Sequence, residues 1–234
     1  MARGGKTVYG AQVGILMLET RFPRIPGDIG NALSFPFPVQ YRVVGGASAA
    51  RVVQGDPLAL VDEFIAAGQE LVRMGCDGIT TSCGFLSLVQ EELKAALGVP
   101  VAASSLMQVP MVQALLPPGQ RVGVLTVSAE ALTKAHLAAA GISGDVPVEG
   151  LEGGQAFSRA ILNDAETLDV AACREDMRVA AQALMEQGEI GAIVLECTNM
   201  APYAAEIRAM TGVPVYSIVS FIEWFQAGLK PRVF

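Results

Sequence analysis

The chain repeats itself, and each copy of the repeat carries a cysteine. Cys83 and Cys197 lie 114 residues apart, and the same shift places Gly98-Val99-Pro100-Val101 on Gly212-Val213-Pro214-Val215. Over the 25 positions from Asp77 to Val101 the copies share eight residues, among them Ile79/Ile193, Glu92/Glu206 and Ala95/Ala209. Unrelated segments of ordinary composition share roughly 5–8%. A duplicated unit must build the same supersecondary structure twice. It can therefore set one thiol from each copy on opposite walls of a single cleft, an arrangement suited to moving protons without a cofactor.

The pattern around the cysteines alternates strand and helix. In the first half, strands are expected at Gln12–Met17, Val39–Val44, Asp77–Ser82 and Val99–Ala103. Helices are expected from Pro57 to about Met74, with Asp56 as N-cap, from Gly84 to Leu97, and from Ser104 to Leu116. Pro117-Pro118-Gly119 marks a seam. The second half restarts with a strand at Arg121–Thr126, which echoes Gln12–Met17. Helices follow at Ser128–Ala140, Glu166–Gln187, Thr198–Thr211 and Ser220–Ala227, with strands at Val146–Glu149, Ile190–Glu196 and Val213–Tyr216. Alternation of this kind builds parallel sheets from right-handed crossovers. The fold class is α/β: two flavodoxin-like parallel-sheet lobes, 1–118 and 119–234, related by a pseudo-twofold axis with a cleft between them. The segment 217–234 is free to pack back on the first lobe. The loop from Arg21 to Pro38 is too long for a tight connection and is expected to cover something.

Composition narrows the partners. The 234 residues are 52% apolar and 17% charged, with a net charge of −7 and no basic stripe, which argues against nucleic acid. No run of 18 apolar residues suggests a membrane span, and Met1–Gly10 lacks the apolar stretch of a signal peptide, so a cytoplasmic protein is expected. There the four cysteines are expected to be free thiols. Cys76 and Cys83 are seven apart, no CxxC occurs, and His136 is the sole histidine, so no metal site is expected. A small-molecule partner and a homodimer or higher homo-oligomer are expected.

Cys83 and Cys197 each fall at the end of a buried strand, directly before a helix, in Thr80-Thr81-Ser82-Cys83-Gly84-Phe85 and Leu195-Glu196-Cys197-Thr198-Asn199-Met200. Ligands of open α/β sheets bind at this edge. Unpaired N–H groups at a helix start can receive a carboxylate, and their partial positive charge favours thiolate over thiol. Gly84 permits close approach of backbone to ligand, and Thr198 and Asn199 add donors. Two such cysteines can invert a carbon next to a carboxylate, one ionised to remove a proton and the other protonated to return one. Cys76 and Cys173 read as packing residues. Glu196 would raise the pKa of a neighbouring thiol, and strand alternation is expected to turn it away from Cys197. Arg21 and Arg24 are candidates to pair with a second substrate carboxylate. Asp28 is expected to shape its loop, His136 to lie at the surface or half-buried, and Trp224 and Phe225 to serve packing or a dimer contact.

The stretches Gly75–Gly84 and Ile193–Met200 resemble the two cysteine motifs of the aspartate/glutamate/hydantoin racemase superfamily. Arg24-Ile25-Pro26-Gly27-Asp28-Ile29-Gly30-Asn31, with Phe37-Pro38-Val39, resembles the opening of members of that superfamily. The resemblance spans nearly the whole chain. It implies a cofactor-independent enzyme acting at the carbon α to a carboxylate, with Cys83 and Cys197 as its acid/base pair. Ser82, Gly84 and Thr198 flank them where that family binds the substrate carboxylate, with Thr126 a further contact. Ser128 reads as a helix N-cap. Two departures stand out. Cys83-Gly84-Phe85 replaces the Cys-Asn-Thr usual in glutamate and aspartate racemases, and Asn199 stands where glutamate racemases carry histidine. Within the superfamily, a hydantoin or allantoin racemase, a maleate-type cis–trans isomerase and an arylmalonate-type decarboxylase remain alternatives. The last keeps only the second cysteine. From another class, a non-catalytic small-acid binding protein stays open. A nucleotide binder is disfavoured, since neither half contains GxGxxG or a P-loop.

Overall fold

The computed structural model describes residues 4–152, 154 and 156–233; Met1–Arg3 of the amino-terminal stretch lie outside them. The first half comprises β1 (Val13–Leu18), β2 (Val39–Val44), α1 (Ala49–Val53), α2 (Val61–Met74), β3 (Gly78–Thr81), α3 (Gln90–Leu97), β4 (Val101–Ala102) and α4 (Gln108–Gln113). The second comprises β5 (Arg121–Thr126), α5 (Lys134–Ala139), β6 (Val148–Gly150), α6 (Phe157–Leu162), α7 (Val170–Glu186), β7 (Ile190–Leu195), α8 (Ala204–Thr211) and β8 (Val215–Tyr216), and α9 (Ile218–Leu229) follows. The strands form two parallel sheets, β2-β1-β3-β4 and β6-β5-β7-β8. This is the two-lobe α/β fold.

Every residue of β1, β3 and β7 is buried, as is all of β5 after Arg121. Helices on both faces explain why these strands read as continuous apolar runs rather than alternating ones. The two sheets share one register. Leu16 pairs with Thr81 in the first and Leu125 with Leu195 in the second, so Leu18 corresponds to Val127 and Ser82 to Glu196. The helices after the cysteines also end alike. Gly98 and Gly212 take φ of 66° and 76°, a left-handed stop that glycine adopts at little cost.

The last helix crosses back. Ile218, Phe221 and Ile222 of α9 pack with Val13, Ile15 and Met17 of β1, and Phe225 and Leu229 close over Gly78 at the start of β3. Residues 218–229 thus cover the sheet of the first half. No helix among the described residues is long and apolar enough to cross a membrane.

Several elements differ from the sequence reading. Cys83 and Cys197 lie two residues beyond β3 and β7, and each opens a 3-10 helix (Gly84–Val89, Thr198–Tyr203) that only later becomes α3 or α8. The helix expected from Ser128 makes one turn, in which Leu132 N–H bonds Ser128 O; Thr133 then caps a new start at Lys134. The short α1 and α6 were not expected, because five or six residues give too little periodicity to detect. Asp56 does cap, accepting from Leu58 N–H, but it opens a 3-10 turn that leads into α2.

Phe64 of α2 is fully buried in the larger core cluster. Phe64→Ala is expected to lower unfolding free energy by about 3–5 kcal/mol, read by urea denaturation.

Candidate active site

The carboxyl ends of β3 and β7 meet. Thr198 Oγ1 donates to Ser82 O at 2.7 Å, and Ser105 Oγ donates to Leu195 O at 2.6 Å and to Glu196 O at 3.0 Å. Each half thereby satisfies strand-end carbonyls of the other, groups that would be costly to bury unpaired. A narrow crevice opens beside this seam, and Cys83 and Cys197 both line it. They are 8% and 6% exposed.

The residues named from sequence divide into lining and supporting groups. Ser82, Gly84, Thr198 and Asn199 line the crevice with the cysteines. Ser82 Oγ already accepts from Leu18 N–H at 2.9 Å, and the Thr198 hydroxyl is spent on the seam. Asn199 faces Cys197, whose Sγ donates to Asn199 Oδ1 at 3.5 Å. Thr126 lies behind the wall, its hydroxyl donating to Glu196 Oε2 at 2.8 Å. Ser128 Oγ accepts from Ala131 N–H in the single turn before α5.

The long loop after β1 forms another wall, through Phe22 and Arg24. Arg24 donates to Asp28 Oδ1 at 3.0 Å and to Thr20 Oγ1 at 2.8 Å, and its guanidinium stacks 4.3 Å from the Phe22 ring. Asp28 Oδ2 accepts from Asn199 Nδ2 at 2.7 Å. A hydrogen-bonded chain therefore runs Arg24–Asp28–Asn199–Cys197, buried from Asp28 onward, and joins the loop to the second cysteine. Asp28 does shape its loop, accepting from Gly30 N–H, but it also orients the neighbour of a thiol. Arg21 stands apart and pairs with Asp164 and Glu166.

Two expectations need correction. Glu196 does not turn away from the crevice; it lines it, fully buried. β7 ends at Leu195, so strand alternation no longer governs the next side chain. His136 is neither surface nor half-buried: it is 6% exposed, with Nδ1 2.8 Å from Thr133 Oγ1 and its ring packed edge-on to Phe85. Burial lowers its pKa.

The electrostatics also depart from expectation. Backbone N–H groups of Phe85 and Leu86 do pull the Cys83 pKa down, and Asn199 N–H does so for Cys197. Burial acts first and in the opposite direction, and the Glu196 charge adds to it, so both thiols rest well above the ordinary thiol range. Burial likewise pushes the Glu196 carboxyl up to about 7, against the opposing bonds from Thr126 and Val127. Among the described residues, no group of three or more His, Cys, Asp or Glu side chains is placed to hold a metal ion.

Comparison with known proteins agrees with the fold. The chain belongs to the Asp/Glu/Hydantoin racemase family, whose model matches residues 104–222. A dimethylsulfoniopropionate lyase of Durusdinium sp. clade D is 28% identical over 235 residues, covering 95% of this chain and 77% of that protein. Among solved structures, a sulfate-associated mutant of arylmalonate decarboxylase superposes with a TM-score of 0.62 at 18% identity, over 93% of this chain and 92% of that one. Allantoin racemase from Pseudomonas fluorescens gives 0.62 at 19% identity, over 93% and 90%. The family thus contains racemases, and similar proteins include enzymes named as lyases and decarboxylases.

Asp28→Ala strands the Arg24 cation and Asn199 together, so a loss of about 3–5 kcal/mol is expected in chemical denaturation. Arg21→Ala, at an exposed pair, is expected to cost less than about 1 kcal/mol. Glu196 makes a pH prediction as well. Its folded pKa of about 7 lies above the ordinary carboxylate value, so its favourable contribution is complete below the unfolded pKa and is lost as pH rises through about 7. Compared with Glu196→Gln, the wild-type protein should lose stability between pH 4.5 and 7.5, read as midpoints of denaturation along that series.

Proposed function

We propose that the protein is a cofactor-independent racemase or epimerase acting at the carbon α to a carboxylate, on an amino acid or related small compound. The observation that supports this reading is the convergence of Cys83 and Cys197, from equivalent places in two repeated sheets, on one crevice. In this scheme one sulfur removes the α proton as thiolate. The other, protonated, delivers a proton to the opposite face. The N–H groups of Phe85, Leu86 and Asn199 point toward the two sulfurs and offer donors to charge that develops on the substrate carboxylate. Phe22, Phe85 and Ile161 give the crevice apolar walls that exclude water.

A second reading shares the first step. Once the α proton has left, a substrate bearing a leaving group on the next carbon can expel it instead of being reprotonated. The names of the relatives that match over nearly the whole chain, dimethylsulfoniopropionate lyases, favour this elimination.

One experiment separates the readings. D- and L-amino acids, hydantoins and dimethylsulfoniopropionate are incubated with the protein in deuterated water and followed by mass and by proton NMR. Deuterium at Cα with inversion is the expected result. Release of dimethyl sulfide and acrylate would replace racemisation by elimination, and neither change in any compound would overturn both. With the substrate that responds, Cys83→Ser and Cys197→Ser are each expected to lower the rate by at least about 10²-fold, whereas Cys76→Ser leaves it unchanged.

A further inference from the structure

Glu196 is the least expected side chain at this site. Its Oε2 accepts from the Thr126 hydroxyl, while Oε1 is buried with no hydrogen-bond partner. Oε1 lies against Gly84, the residue after Cys83, so closely that a Cβ there would run into it. Glycine at position 84 is thus the condition for an acid at position 196. The sheet register makes the contrast sharper. In the first half, Leu18 N–H bonds the neutral hydroxyl of Ser82; in the second, the equivalent Val127 N–H bonds the carboxyl of Glu196. An ionisable group stands where the other half uses an uncharged one.

The charged and titratable groups facing the crevice are Cys83, Cys197, Arg24 and, behind Asn199, Asp28. Arg24 and Asp28 neutralise each other at 3.0 Å. That leaves Glu196 and the two thiols to share whatever net charge the crevice holds. Two adjacent buried anions are strongly disfavoured, so an ionised Glu196 and a thiolate exclude each other. A thiolate nevertheless has to form if either cysteine is to take a proton from carbon.

We propose that Glu196 receives the Cys83 proton: it leaves Sγ for Oε1, directly or through one water, the electron pair stays on sulfur, and the crevice carries one negative charge before and after. Thr126, holding Oε2 as an acceptor, keeps the incoming proton on Oε1, the oxygen that lies against Gly84, next to Cys83 in the chain. The raised carboxyl pKa, about 7, lets Glu196 hold a proton near neutrality, as an acceptor of the thiol proton must. Glu196 acts through Cys83 and is an auxiliary proton acceptor. The inference rests on the reading of Cys83 as a proton-transfer group, but its test needs no substrate.

The test is the alkylation rate of Cys83 by iodoacetamide against pH, resolved from the other cysteines by peptide mass. If one charge is shared, the thiolate fraction rises up to about pH 7 and then stays level, changing less than about twofold between pH 7.5 and 9. Glu196→Gln removes the acceptor, so its rate should climb about tenfold per pH unit across that interval. A wild-type rate that climbs like the variant's would overturn the proposal. Infrared difference spectra give a measurement independent of reagent access and of the variant's folding. A protonated-carboxyl band that disappears near pH 7 is expected, and its absence above about pH 5 in the wild-type protein would equally overturn it. Failure of the racemase reading would show instead as a level alkylation profile with no turnover of any compound.

Discussion

Reciprocal hydrogen bonding across the seam is the constraint from which the site follows. Parallel strands end in carbonyls with no partner in their own sheet. Here Thr198 caps a carbonyl of the first half, and Ser105 caps two of the second. Both hydroxyls are buried, and bringing the halves together without these bonds would leave polar groups unpaired in an apolar setting. The two sheet edges are held face to face for that reason. The cysteines, each two residues past its strand, are thereby delivered to one crevice. Helix α9 adds a second tie by covering the first sheet from the far end of the chain.

Enclosure has an electrostatic cost, which shapes the chemistry. A helix start by itself would favour thiolate, but burial of both sulfurs outweighs those few N–H donors. Burial also affects Glu196, which titrates near neutrality in place of remaining a permanent anion. The site is therefore poised on proton location. The Arg24–Asp28–Asn199 chain fixes geometry around Cys197 without adding net charge, since its cation and anion are paired. That pairing also explains why Arg24, though it lines the crevice, is not a free partner for a substrate carboxylate.

Much of this was legible in the chain because duplication exposes itself by simple alignment. Cys83 and Cys197, the flanking Gly84, Thr198 and Asn199, and the strands Val39–Val44 and Arg121–Thr126 follow from repeat, periodicity and strand-end chemistry, and Ser82 from the family resemblance. Other features follow from no local rule. Ser105 sits in an unremarkable serine pair, and its partners are 90 and 91 residues away. Asp28 and Asn199 are 171 apart. The orientation of Glu196 depends on β7 ending at Leu195, one residue short of the strand expected from the sequence. The 3-10 starts after each cysteine and the broken helix at Ser128 depend on single hydrogen bonds that period counting does not register.

The amino-acid order alone determined the two-lobe α/β plan and the matched positions of two thiols, because apolar periodicity and glycine stops are local and were written twice. Tertiary structure alone decided what those thiols experience. Burial, the acid that shares their crevice and the paired arginine are products of how distant segments pack, and ionisation responds to that surrounding medium rather than to neighbours along the chain.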